Sequence, residues 1–330
     1  MARFALIAAS TVGFFLTVAL GNLLVPLLRS LTRRATEQPE QNAGAPLMGG
    51  LSYIVGMLAA VGIAWMWLYI SLPDLWGSER NSINMLFSAL SGMFLFGAIG
   101  FLDDCVRLYR RQSVGLRTAQ RVVLEMAASL FIVLKMRATG CLPSVVALLL
   151  GGYADLGAGG YLLWMLLLPA LAESMRLTDT SDGLCAGMAF VAMLGMMGAL
   201  TLLNYFEIAL LPAALAGALL GFLLWNFAPS KLLNGSVGVF FLAGALGCIP
   251  MAVGCPMLGV LLALPYLLQG GMVLLQVVYH RLSGGKRLFS TAPLHYWLSK
   301  KGWDAVSLCY AFCALELCTV LLALMFVRRS

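Results

Sequence analysis

Asp103 and Asp104 stand as an adjacent pair, and Asp179 and Asp182 lie three residues apart with Thr180 and Ser181 between them. Each pair sits at the end of a long apolar run, in a chain with only 14 acidic residues. Carboxylates at the edge of a bilayer are costly unless they meet a cation, a proton or a polar substrate. These four therefore mark the place for chemistry. Arg107, Arg110, Arg111, Arg117 and Arg121 follow the first pair closely. A plain reading makes Asp103 and Asp104 interfacial residues neutralised by Arg107 and Arg110 at helical spacing. The second acidic cluster, with hydroxyls between its carboxylates, tips the balance: oxygen-rich clusters from separate loops suit magnesium, a hard ion that commonly bridges substrate phosphates. Acids beside many arginines point to phosphate chemistry.

Two further polar segments carry candidates. Residues 225–238 place Asn226, Lys231, Asn234 and Ser236 in one short turn punctuated by Pro229 and Gly235. Near the end of the chain come Lys286 and Arg287, then Pro293 and His295. That segment lacks a Walker pattern, so a P-loop is not expected. His295, one of only 2 histidines, has a structural hydrogen-bonding role as its bland alternative.

The elements that must position these residues are apolar helices. With 61% hydrophobic and 11% charged residues, the chain has too little polar surface for a soluble globule. Ten stretches have the length needed to cross a hydrocarbon core: 4–28, 51–72, 85–102, 118–136, 161–177, 184–203, 209–225, 237–251, 258–279 and 305–327. The expectation is an all-α polytopic membrane protein, a single domain over 1–330. The first stretch is longer than a signal-peptide core and reads as an uncleaved helix. The 8 cysteines form no zinc-type pair and read as free thiols. Residues 149–160, rich in glycine, suit an outward turn or hairpin.

Orientation follows from the basic residues. Most of the 21 lysines and arginines fall on the odd-numbered loops, which the cytoplasmic side should retain. Both termini are then expected outside, with all four aspartates facing the cytoplasm. A secondary transporter is the weaker alternative, since Glu125 and Glu316 are the only carboxylates well inside the predicted spans.

Taken together, these segments resemble the polyprenyl-phosphate N-acetylhexosamine 1-phosphate transferases, and within them the peptidoglycan branch, the phospho-N-acetylmuramoyl-pentapeptide transferases. Pro46-Leu47-Met48-Gly49-Gly50 is similar to the family's PTMGG, and Gly100-Phe101-Leu102-Asp103-Asp104 to its GFxDD. Gly115-Leu116 with Gln120 and Arg121 resembles GLTAKQK, and Leu177 through Leu184 resembles NLTDGLDGL. Asn226 with Pro229 resembles FNAYP, and Lys286 through Trp303 resembles KRIFxMAPIHHHFELKGW.

The resemblance implies transfer of the phospho-sugar of UDP-MurNAc-pentapeptide to undecaprenyl phosphate, with release of UMP, a magnesium requirement and a homodimer in the bilayer. No nucleic-acid partner is expected. By position it implies catalytic roles for Asp103, Asp104 and Asp182, metal binding by Asp104 and Asp182, and substrate contacts by Asp179, Asn226, Arg121, His295 and Lys286. The chain also departs from the pattern. Ser236 stands where the family has the magnesium-binding aspartate of MGD, Tyr296 and Trp297 replace two of three histidines, and Glu173 and Arg176 replace two asparagines. Two functions follow: an active transferase, in which the remaining acids suffice or Glu173 supplies the missing carboxylate, or a non-catalytic relative. The latter would bind polyprenyl phosphate or nucleotide sugar, or act as a membrane partner in envelope assembly.

Overall fold

The computed structural model describes residues 2–36, 45–71, 80–110, 115–147 and 153–329. Helices occupy all ten predicted stretches: α1 (Ala2–Thr36), α2 (Gly50–Ser71), α3 (Arg80–Arg110), α4 (Thr118–Ala138), then, after a β-hairpin, α5 (Gly157–Thr178), α6 (Leu184–Leu202), α7 (Phe206–Asn226), α8 (Gly235–Ala252), α9 (Pro256–Leu282), the short α10 (Leu294–Lys300) and α11 (Ala305–Arg329). The all-α membrane architecture is therefore observed. Among the described residues nine helices are long and apolar enough to cross a membrane. The other two are α10, with 7 residues, and α4, which is 21 residues long but carries Arg121, Glu125, Lys135 and Arg137. Its polarity is inverted relative to a soluble helix: Arg121 and Glu125 are buried, while Val123, Leu130, Phe131 and Leu134 are exposed. That is the arrangement expected of a helix whose outer face meets lipid.

At the centre lies α8, buried along almost its whole length. It packs lengthwise on α3, while α7 lies against α1, α2 and α6. Small residues permit these close approaches. A Cβ on Gly100 of α3 would stand 2.1 Å from the Ser236 carbonyl oxygen, so the end of α3 that bears the aspartates presses directly on the start of α8.

Two local differences from the sequence expectation have simple causes. The hairpin pairs β1 (Val145–Ala147) with β2 (Tyr153–Asp155) in antiparallel register, earlier than 149–160, of which 149–152 lie outside the described residues. Residues 157–160 are helical because the Asp155 carboxylate accepts the Gly157 N–H at 2.9 Å and starts α5. Arg111 also lies outside the described residues.

Candidate functional site

The motif-bearing ends of α2 through α9 gather at one end of the bundle. The turn 231–236 is held in place by backbone bonds: Leu233 N–H donates to the Pro46 carbonyl at 2.9 Å, and Gly49 and Gly50 N–H donate to Leu233 and Asn234 carbonyls at 2.8 Å each. Gly235 adopts φ +76°, a conformation open to glycine without strain. A Cβ there would also stand 2.7 Å from both Asp104 Oδ2 and Met48 N. The residues before α2 thus act as a brace for the turn that starts α8.

Behind this turn lies Asp103, 1% exposed. Its Oδ2 accepts the Ser236 hydroxyl at 2.7 Å and Arg107 Nη2 at 3.4 Å, and its Oδ1 accepts Leu116 N–H at 2.8 Å. Arg121 Nη1 stands 3.8 Å from the same Oδ1. Asp104 is also buried; its Oδ2 accepts Val237 N–H at 3.0 Å. Among the described residues its Oδ1 has no hydrogen-bond partner. The two adjacent carboxylates therefore clamp the first turn of α8 onto α3, where a helix N-terminus favours negative charge.

A cavity of about 310 Å³ opens in front of the turn, within the size range of small-molecule sites. Asp179, Asp182, Asn226, Ser236, Arg107 and Arg176 line it, with Thr180, Ser181 and Asn234. Asp182 Oδ2 accepts Ser230 N–H at 3.0 Å. Asn226 Nδ2 donates to the Leu232 carbonyl at 2.9 Å and so closes the turn after α7. Asn234 is set by Tyr53, whose hydroxyl donates to its Oδ1 at 2.9 Å. Of the residues the sequence singled out, Asp179, Asp182, Asn226 and Ser236 thus meet on one wall. Asp103, Asp104, Arg121 and His295 stand behind it, and Lys286 is exposed on the loop after α9, off the wall.

Arg121 is the hub of a second group. It makes a bidentate contact with Glu173, whose Oε1 accepts Nε and whose Oε2 accepts Nη2 at 3.2 Å, and Arg176 donates through Nε and Nη2 to the same Oε2 at 2.9 and 2.8 Å. Glu125 Oε1 lies 3.7 Å from Arg121 Nε. Glu173 does not replace the acid absent at position 236, because both of its oxygens are held by arginines. Sequence reading missed Arg107 and Arg176 as cavity residues; the available signal was a helical offset of four from Asp103 and of three from Asp179.

His295 is buried behind Thr180. Its Nδ1 faces Gln269 Oε1, and its Nε2 lies 2.7 Å from the Thr180 hydroxyl. With a carbonyl oxygen at Nδ1, that nitrogen carries the proton and Nε2 accepts from threonine. Burial lowers the imidazole to about 4, so the ring is neutral. Asp179 is open to the cavity on one side only. Burial foremost pushes its carboxyl up to about 7; the Asn234 amide and Arg107 oppose this, while Asp104 and Asp182 add to it.

These two shifts predict opposing pH effects on stability. Asp179 binds its proton more tightly when folded, so its contribution is present at low pH and lost as pH rises through about 7. His295 contributes above its ordinary range and loses that contribution as pH falls toward about 4. In thermal unfolding between these values, Asp179→Asn should expose a melting temperature that falls with acid. His295→Gln should expose one that falls with base. Parallel profiles for both variants would refute the assignment.

Magnesium makes a specific demand on such a donor set. A resident ion needs near-octahedral oxygen donors at about 2.0–2.1 Å. Asp103 and the Ser236 hydroxyl are committed to each other, one oxygen each of Asp104 and Asp182 is taken by a backbone N–H, and two guanidiniums share the wall. Among the described residues no three His, Cys, Asp or Glu side chains gather to hold a metal. Asp179 and single oxygens of Asp104 and Asp182 remain, too few to make a resident, all-protein magnesium site.

Comparison with known proteins adds the following. Residues 86–254 match the model of "Glycosyl transferase family 4". The chain is 27% identical over 310 residues to a phospho-N-acetylmuramoyl-pentapeptide-transferase of Listeria monocytogenes serotype 4b, covering 92% of each chain. It is 28% identical over 326 residues to that of Clostridium kluyveri, covering 97% of each. The corresponding protein of Halalkalibacterium halodurans is 27% identical over 321 residues, with 94% of each covered.

Proposed function

The chain belongs to glycosyl transferase family 4, a multi-pass membrane transferase related to phospho-N-acetylmuramoyl-pentapeptide-transferases, and on that premise we propose that it transfers phospho-N-acetylmuramoyl-pentapeptide from UDP to undecaprenyl phosphate. In this reaction an oxygen of the lipid phosphate forms a bond to the sugar-proximal phosphorus. The bond from that phosphorus to the bridging oxygen breaks, and UMP leaves with the bridging oxygen and the electron pair. A lipid phosphate carries its second charge near neutral pH and needs no strong base.

The observation that carries this reading is the convergence of Asp179, Asp182, Asn226, Arg107 and Arg176 on one cavity at the loop end of an apolar bundle. Arg107 and Arg176 stabilise the charge that spreads over the phosphoryl oxygens. Asn226 and Asn234 shape the wall, and Asp182 fixes the turn at Ser230. Asp103, with its oxygens already occupied by donors, positions Arg107 and α8 rather than removing a proton. In the bilayer this end faces the cytoplasm, where a soluble nucleotide sugar and a lipid phosphate can meet.

One observation favours a second reading, a binding-only relative: the Ser236 hydroxyl closes on Asp103 where the family pattern has a carboxylate. Purified protein given UDP-MurNAc-pentapeptide and undecaprenyl phosphate in magnesium-containing buffer is expected to release UMP and form a lipid-linked product. Binding of both substrates without UMP release would reject transfer and establish the second reading.

A further inference from the structure

We propose that the cavity holds the diphosphate of its nucleotide ligand through the guanidinium pair Arg107 and Arg176, without a bound divalent ion. The ligand class rests on the transfer reading above; the mode of holding it comes from the chain's own residues.

Both arginines are on the cavity wall, and both are anchored from behind. Arg176 turns Nε and Nη2 onto Glu173, leaving Nη1 and one further N–H uncommitted among a guanidinium's five donors. Arg107 directs Nη2 to Asp103, while its buried Nε has no hydrogen-bond partner among the described residues. A buried charged donor without an acceptor is costly, and the same guanidinium belongs to the cavity lining. Planar forks of this kind match phosphate oxygens in pairs.

The anchoring acids are themselves held. Glu173 is itself fixed by Arg121, and Asp103 by Leu116 N–H and Ser236. A divalent ion would enter beside two fixed positive charges and find two carboxylates, one of them tied to Ser230 N–H. A diphosphate finds the two guanidiniums with hydrogen-bond donors to spare, and Asp179 and Asp182 oppose part of that positive charge. Ser236 belongs to this arrangement, since a hydroxyl at that position donates to Asp103, whereas a second carboxylate there would repel it.

The test is calorimetric binding of UDP, UMP and uridine to the full-length protein in detergent, in EDTA and in millimolar magnesium. UDP should bind in EDTA with a Kd within about twofold of that in magnesium, and more tightly than UMP. Arg176→Gln should weaken UDP binding about tenfold to a hundredfold while leaving uridine binding unchanged. Arg176→Lys, which keeps the charge but not the fork, should fall between, and both variants should melt as cooperatively as the parent. UDP binding that requires magnesium, or that survives Arg176→Gln, would overturn the proposal and leave the transfer reading standing. Failure of UDP to bind in either buffer would overturn both.

Discussion

Asp103→Asn is expected to abolish UMP release and to lower stability by about 3–5 kcal/mol, the cost typical of breaking a buried ion pair. The size follows from the number of groups that depend on one carboxylate. Leu116 N–H, the Ser236 hydroxyl, Arg107 and Arg121 all turn toward it, and they come from α3, α4, the loop before α4 and α8. An amide has one oxygen to accept with, and its NH2 group would oppose at least one of these donors. Loss of activity then comes through Arg107, which faces the cavity from the far side of the same contact. Thermal unfolding in detergent, alongside the UMP assay, reads both effects. Unchanged melting and turnover in this variant would show that Asp103 does not organise the site.

Arg121→Met should be at least as damaging, about 3–5 kcal/mol, for a different reason. The guanidinium stands among Asp103, Glu125 and Glu173, and Asp103 and Glu125 are almost wholly shielded from solvent. Removing it takes from Asp103 and Glu173 the cation they share, leaving each with one arginine. Neither oxygen of Glu125 has a hydrogen bond among the described residues, so Arg121 is its chief electrostatic partner there. UDP affinity of the folded fraction should also fall, though less than in Arg176→Gln, because Arg121 fixes the Glu173 carboxylate that anchors Arg176. A selective loss of UDP binding with unaltered melting would instead restore Arg121 to the substrate-contacting role that its motif position suggested.

The contrast between these residues shows how far the sequence could be read. Asp179, Asp182 and Asn226 were legible as cavity residues because each lies at the end of an apolar helix, and helix ends at one face of a bundle meet by geometry. Arg121, Lys286 and His295 were legible as polar residues in the right segments, yet the structure gives them different places. Arg121 turns inward because Glu173, fifty-two positions away, waits on the neighbouring helix. His295 is withdrawn behind Thr180 by Gln269, and Lys286 stays exposed.

Composition and periodicity alone determined that the chain is a bundle of apolar helices, where those helices run, and which carboxylates stand at their ends. Those are local properties: a run of apolar residues long enough to span a bilayer commits its backbone to a helix whatever lies elsewhere. Only the tertiary structure decided which acids are committed and which are open. Ser236 donates to Asp103 across 133 positions, and Tyr53 sets Asn234 across 181. A carboxylate's chemistry depends on the donors within about 3 Å of it, and in a helical bundle those donors come from segments distant in sequence.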